Sequence, residues 1–201
     1  MYLKKGSRGE DVKILQKLLY LKADGIFGDL TEESVKDFQK ANGLTVDGIV
    51  GNTTWMKLNS HLHVAKRSIN EIIVHCSATK EGKDFTVANI KKWHLERGFS
   101  DIGYHYVIYR DGSVHEGRNI EVSGAHCTGH NAHSIGVCYI GGLGTDGKAK
   151  DTRTVSQKNS MMNLLKQLKG IYPKAGIYPH SKFAKKDCPC FDAEKEYKCI
   201  K

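Results

Sequence analysis

The run Asp24–Gly25–Ile26–Phe27–Gly28–Asp29–Leu30–Thr31 returns as Asp47–Gly48–Ile49–Val50–Gly51–Asn52–Thr53–Thr54. A repeat this close commits the first third of the chain to two copies of one small supersecondary unit. Asp-Gly followed by an apolar pair and Gly reads as a tight turn. Thr or Asn after the second Gly can cap the helix that follows. Ser7 and Glu10 have capping-box spacing ahead of Val12, Leu15, Leu18 and Leu19, which share one helical face. Val35 and Phe38 mark a second helix, and Trp55 with Leu58 a short third. The expectation is an all-α three-helix domain over residues 1–59, with a core of Val12, Leu15, Leu19, Phe38, Ile49 and Trp55.

From about Lys5 to Leu58 this pattern, with Leu15–Gln16, Phe38–Gln39 and Thr54–Trp55, resembles the peptidoglycan-binding domain 1 family. That resemblance implies a module that docks enzymes on bacterial peptidoglycan. Residues 60–68 are polar, lack a clear period, and read as a linker. Residues 69–201 then form a second domain of ordinary size.

The second domain carries the chemistry. Ile72–Ile73–Val74 is an apolar β-branched run that ends at His75 and reads as a buried strand. Far along the chain, His180–Ser181–Lys182–Phe183–Ala184–Lys185–Lys186–Asp187–Cys188 offers an imidazole and a thiolate. Three N/S ligands from separate segments leave the fourth position of a tetrahedral zinc open, as catalytic sites do and structural sites do not. With ten histidines and six cysteines in the chain, spacing alone also permits His75 as a strand residue and His180 and Cys188 in an ordinary loop.

Further blocks narrow the choice: Gly103–Tyr104–His105–Tyr106–Val107–Ile108–Tyr109–Arg110–Asp111–Gly112, Gly124–Ala125–His126, and Gly129–His130–Asn131–Ala132–His133–Ser134–Ile135–Gly136–Val137. With His75 and the His180–Cys188 segment they resemble the zinc-dependent N-acetylmuramoyl-L-alanine amidases of the phage-lysozyme and peptidoglycan-recognition-protein superfamily. The resemblance spans about Ile69 to Phe191. It implies zinc held by His75, His180 and Cys188, with Tyr104 and Lys186 as catalytic groups and His126 facing substrate. It implies hydrolysis of the amide between N-acetylmuramic acid and the L-alanine of the stem peptide. Some relatives use a glutamate as general base, and no carboxylate here matches that position. The implied fold is α/β, a central mixed sheet flanked by helices. Strands are predicted near 70–76, 104–110, 113–118, 135–140 and 176–179, and helices near 86–98 and 155–171. The superfamily also contains recognition proteins that bind wall fragments without cutting them. In those the metal cysteine is typically replaced, whereas Cys188 is present here.

Charge and cysteine use limit the alternatives. The formal charge is +9, and residues 1–59 hold nine Lys and Arg against eight Asp and Glu. The excess therefore sits in the second domain, which favours anionic partners such as wall-peptide carboxylates and envelope polymers. The basic residues are scattered, with no recognition helix or RNA-binding signature, so nucleic acid is not expected. No segment is long and apolar enough to span a membrane. The start, Met1–Tyr2–Leu3–Lys4–Lys5–Gly6, lacks the apolar core of a secretory signal. The expectation is a monomeric phage lysin, made in host cytoplasm and released onto the wall by another route. Cys76 and Cys138 read as small buried hydrophobes, while Cys190 could pair with Cys199 or substitute as a metal ligand.

Overall fold

The computed structural model describes residues 2–19, 21–60 and 65–200. The chain divides into two compact units, Met1–His63 and Val64–Lys201.

The first unit has three helices: α1 Glu10–Leu18, α2 Asp29–Ala41 and α3 Asn52–Ser60. Its apolar core is Leu3, Val12, Leu15, Phe27, Val35, Val50 and Leu58, with Leu18, Leu19, Phe38 and Trp55 packed at the edge. The repeat has a specific physical meaning. The Gln16 amide donates to Asp24 Oδ1, the Ile26 carbonyl and Thr31 Oγ1, and its Oε1 accepts the Gly25 N–H. Gln39 repeats each bond one unit later, with Asp47, Ile49, Thr54 and Gly48. A buried glutamine thus closes each turn onto the helix before it. The turn places the Ile26 and Ile49 carbonyls on the glutamine, so the inward side chains are the next residues, Phe27 and Val50. Ile49 accordingly lies outside the core that the sequence assigns it to. The expected Ser7–Glu10 capping box does not form either. Helix α1 starts at Glu10 after Gly9 with no side-chain cap, and Ser7 Oγ instead accepts the Lys4 N–H.

The second unit is an α/β domain. Its main sheet runs β4 (Val114–Glu116), β3 (Tyr106–Ile108), β5 (Ser134–Tyr139), β1 (Glu71–Cys76) and β7 (Gly176–Pro179). All neighbours are parallel except β3 and β4, so the sheet is mixed. Strands β2 (Thr79–Lys80) and β6 (Gly142–Leu143) form a separate two-stranded pair. Strand β1 is interior and hydrogen-bonded on both edges, which explains its continuous β-branched run. Helix α5 (Val155–Ile171) packs Met161, Leu164, Leu165 and Leu168 against Ile72, Val74, Ile135, Val137 and Tyr139. Burying each such side chain contributes about 1.5–3 kcal/mol. The alternate residues of β1, Ile73 and His75, face the other way. On that side α4 (Val87–Glu96) supplies Ile90 to a cluster with Ile102, Val107 and Ile140, against which Trp93 and Tyr104 pack. Both helices begin with reciprocal capping boxes, Thr86 with Asn89 and Thr154 with Gln157. Each cap is worth about 1 kcal/mol.

One expectation shifts at a domain edge, and one element was not foreseen. Residues 65–68 belong to the second unit rather than to a linker. The Ala65 N–H donates to Tyr172 Oη, and the Arg67 guanidinium donates to the Ile120, Ala132 and Ser134 carbonyls. Ser60 closes α3, and residues 61–64 lie outside the described residues. At the other end a short helix, α6 (Ala193–Tyr197), is tied down by the buried Arg153. That guanidinium bonds Asp151, both carboxylate oxygens of Glu196 and Tyr197 Oη, and stacks 3.2 Å from the Phe191 ring centroid. Among the described residues no helix is long and apolar enough to cross a membrane.

Candidate metal centre

Strands β1 and β7 are parallel neighbours, so their carboxyl ends emerge side by side. His75 is the penultimate residue of β1, and His180 directly follows β7 in a 3₁₀ turn, His180–Lys182. The two rings lie 4.5 Å apart between centroids. The chain then loops back. The Ser181 N–H donates to the Cys188 carbonyl, and Tyr139 Oη donates to the Pro189 carbonyl. These bonds hold Cys188 Sγ 3.8 Å from His75 Nδ1, where it also accepts the Cys76 N–H. One ligand atom from each of His75, His180 and Cys188 falls within 4.8 Å of the others. Both histidines are buried and Cys188 is half-buried.

The donor set fits a borderline-soft divalent metal. Metal-binding imidazole must be neutral, and here burial pushes His75 well below the usual histidine range, helped by His126, His180 and Lys186. Burial and the Lys186 charge lower His180 likewise. Two imidazoles and a thiolate are ligands that favour zinc over magnesium or calcium. Three protein ligands with a half-exposed thiol leave a side open for substrate.

Tyr104 precedes β3 and its ring centroid is 5.1 Å from that of His75. Desolvation drives its phenol well above the usual tyrosine range, with the thiols of Cys138, Cys188 and Cys76 adding to the effect, so it stays a neutral donor. Lys186 is exposed on the ligand loop. Of the nearby lysines, Lys182 is bonded to Glu194, 2.6 Å away, whereas the Lys186 charge is felt by both metal-side histidines.

His126, expected to face substrate, is buried beside His75. It is 9% exposed, and its Nδ1 lies 3.1 Å from His75 Nε2. The remaining histidines among the described residues make scaffold contacts. His94 Nδ1 accepts the Gly103 N–H, and His105 Nδ1 accepts the Gly136 N–H. His115 stacks on Tyr109, His130 meets Glu71, and His133 meets the Ser68 carbonyl. The six cysteines are all unbridged, and Cys190 approaches Cys76 (Sγ to Sγ 3.6 Å) rather than the exposed Cys199. Two residues the sequence left without a role support the site: Asn131 and Ser134 hold His126. Their signal was weak, since both sit in a turn rich in polar residues.

Fold and site together define a class: a hydrolytic α/β domain with an open nitrogen–sulfur ligand set at the ends of parallel strands, preceded by a helical repeat. The chain belongs to the N-acetylmuramoyl-L-alanine amidase family, whose model matches residues 65–191. Residues 8–58 match the model of a peptidoglycan binding domain. The endolysin of Enterobacteria phage K11 is 41% identical over 130 residues, 65% of this chain and 86% of that protein. The endolysin of Escherichia phage T7 is 42% identical with the same coverage. Among solved structures, the endolysin N-acetylmuramoyl-L-alanine amidase LysCS from Clostridium intestinale URNW superimposes with a TM-score of 0.57 at 26% identity, covering 66% of this chain and 82% of that one.

Proposed function

We propose that this amidase is an endolysin that uses zinc held by His75, His180 and Cys188, with Tyr104 and Lys186 as its catalytic side chains. The observation that carries the reading is the convergence of two buried imidazoles and one half-buried thiol, from the end of β1 and the segment after β7, within 4.8 Å.

The bond to be cut is an unactivated amide, so the site must sharpen water as a nucleophile and stabilise a tetrahedral oxyanion. Zinc, when bound, activates water and polarises the scissile carbonyl. The protein supplies the rest. The Lys186 ammonium, carried on the mobile end of a long side chain, neutralises the negative charge that develops on the carbonyl oxygen. The neutral Tyr104 hydroxyl, beside the His75 ring, donates a hydrogen bond that orients the amide. The neutral state of His75 and His180 keeps their lone pairs available for the metal. Residues 1–59 act as the wall-docking module, which raises the local concentration of the catalytic unit on peptidoglycan.

The test is mass spectrometry of purified peptidoglycan after incubation with the protein, with zinc content measured on the same sample. Free stem peptides with intact glycan strands, lost on chelation, are expected. Cleavage that persists with no metal in the sample would refute the zinc assignment. Cuts within the glycan or the peptide would refute the bond.

A further inference from the structure

We infer that His126 is a positioning residue: through its Nδ1 it orients the His75 ring and fixes the tautomer in which His75 presents Nδ1 to a metal. The inference rests on the metal reading above and assigns a role beyond it.

The hydrogen positions follow from one chain of contacts. His75 Nδ1 is the nitrogen on the ligand side, 3.8 Å from Cys188 Sγ. A nitrogen that offers its lone pair to a metal leaves the ring proton on the other nitrogen. His75 Nε2 then carries the proton and donates it to His126 Nδ1 at 3.1 Å. His126 must accept there, so its own proton sits on Nε2, which faces Ser134 Oγ at 3.3 Å. With the His75 Nδ1 lone pair given to a metal, one arrangement of protons satisfies every contact from Ser134 to the ligand face; the reverse arrangement would place a proton on that nitrogen.

The slot around His126 is built to hold the ring still. Asn131 Oδ1 accepts the backbone N–H of both His126 and Cys127, at 2.9 Å each. The ring lies between two glycines. A Cβ on Gly124 would fall 2.4 Å from His126 Cδ2, and one on Gly136 would fall 2.6 Å from the same atom. No side chain larger than hydrogen fits at either position with the ring in place. Gly136 is itself anchored, since its N–H donates to His105 Nδ1. A substrate contact would need His126 to leave this slot. A support for His75 needs it to stay.

Partners of this kind fix ligand geometry and basicity, and removing them typically costs about 10–100-fold in metal affinity. The experiment measures zinc affinity of the full chain by chelator competition for the parent, His126→Ala and His126→Asn. The Asn carboxamide oxygen can take the place of Nδ1 as acceptor. Expected are a loss of about 10–100-fold for His126→Ala and a return to within about threefold of the parent for His126→Asn. A folded His126→Ala that binds zinc as tightly as the parent would overturn the inference, as would His126→Asn binding as weakly as His126→Ala. If the alanine variant does not fold, long-range ¹⁵N–¹H spectra of the zinc-loaded parent decide. His126 protonated on Nε2 supports the inference, and a proton on His126 Nδ1 overturns it. A parent chain that binds no zinc is a different failure: it removes the metal reading, and this inference with it.

Discussion

Gln39→Ala should unfold most of the first unit's stability margin. The Gln39 side chain is buried and makes four hydrogen bonds. Its loss affects the partners unequally. Asp47 is exposed and rehydrates, and the Ile49 carbonyl keeps the Thr54 hydroxyl as a donor. The buried Gly48 N–H is left without its acceptor. An orphaned buried donor costs about 1–3 kcal/mol, and the other lost bonds add about 0.5–1.5 kcal/mol each at most, so the sum is about 3 kcal/mol. For a domain this small that is a large part of the total. Gln16→Ala should cost the same, because Gly25 is left in the same state and the Ile26 carbonyl keeps the Gly28 N–H. Gln39→Glu keeps the shape but sets a second carboxylate against Asp47, and should be at least as damaging. The assay is urea unfolding of the full chain in a Trp93→Phe background, where Trp55 fluorescence reports the first unit. An unchanged midpoint for Gln39→Ala would refute the closure argument. So would a difference of more than about 1 kcal/mol between the two alanine variants, since the repeat predicts equality.

Cys188→Ala should abolish zinc retention and amide cleavage while purified wall still pulls down the protein through residues 1–59; retained full activity would remove Cys188 from the ligand set. Lys186→Ala should keep zinc and lower turnover by about 10²–10³, measured by release of stem peptides, and an unchanged rate would return Lys186 to the solvated surface. Stability should fall with acid. Burial lowers His105 from 6.5 to about 4 in the folded state, so the unfolded chain binds protons first as pH drops below about 6.5. The stabilisation is complete above that pH and declines through about pH 4, by ~3 kcal/mol for His105 alone. His94, also lowered to about 4 by burial, acts in the same direction. Urea unfolding across that range should show the slope, and a flat profile would count against neutral buried imidazoles.

The elements legible in the sequence are those with long, unambiguous patterns. Ile72–Ile73–Val74 announces a two-sided strand because β1 is an interior strand, and the Met161–Leu164–Leu165–Leu168 spacing announces α5 because that helix has one wet face. His75, His180 and Cys188 came from the resemblance and not from their spacing, and the structure brings one ligand atom of each within 4.8 Å of the others. Other features depend on tertiary contacts with no local trace. Strands β2 and β6 are two residues long and exist only because they pair with each other. Helix α6 has five residues, too few to stand alone, and is held by the Asp192 cap and Arg153. Ser7–Glu10 has capping spacing but loses to Gly9, which lies at φ 117 and turns the chain directly into α1. Ile49 and Val50 are equally apolar, and only the Gln39 closure decides which one faces in. The inward turn of His126 depends on two glycines twelve residues apart closing on one ring.

Arg153 carries a practical consequence for anyone editing this chain. The last helix looks like a trimmable tail, yet Glu196 and Tyr197 are the counter-charge and hydrogen-bond acceptor of a guanidinium with no exposed surface. Cutting before Glu196 would leave that cation with Asp151 as its one carboxylate partner of the two and remove the Tyr197 ring from Phe191, which sits one residue past the Cys188–Pro189–Cys190 loop. A purification tag or a fused domain therefore belongs after Tyr197, and a deletion that stops short of it should register first as lost metal, not as a shorter enzyme.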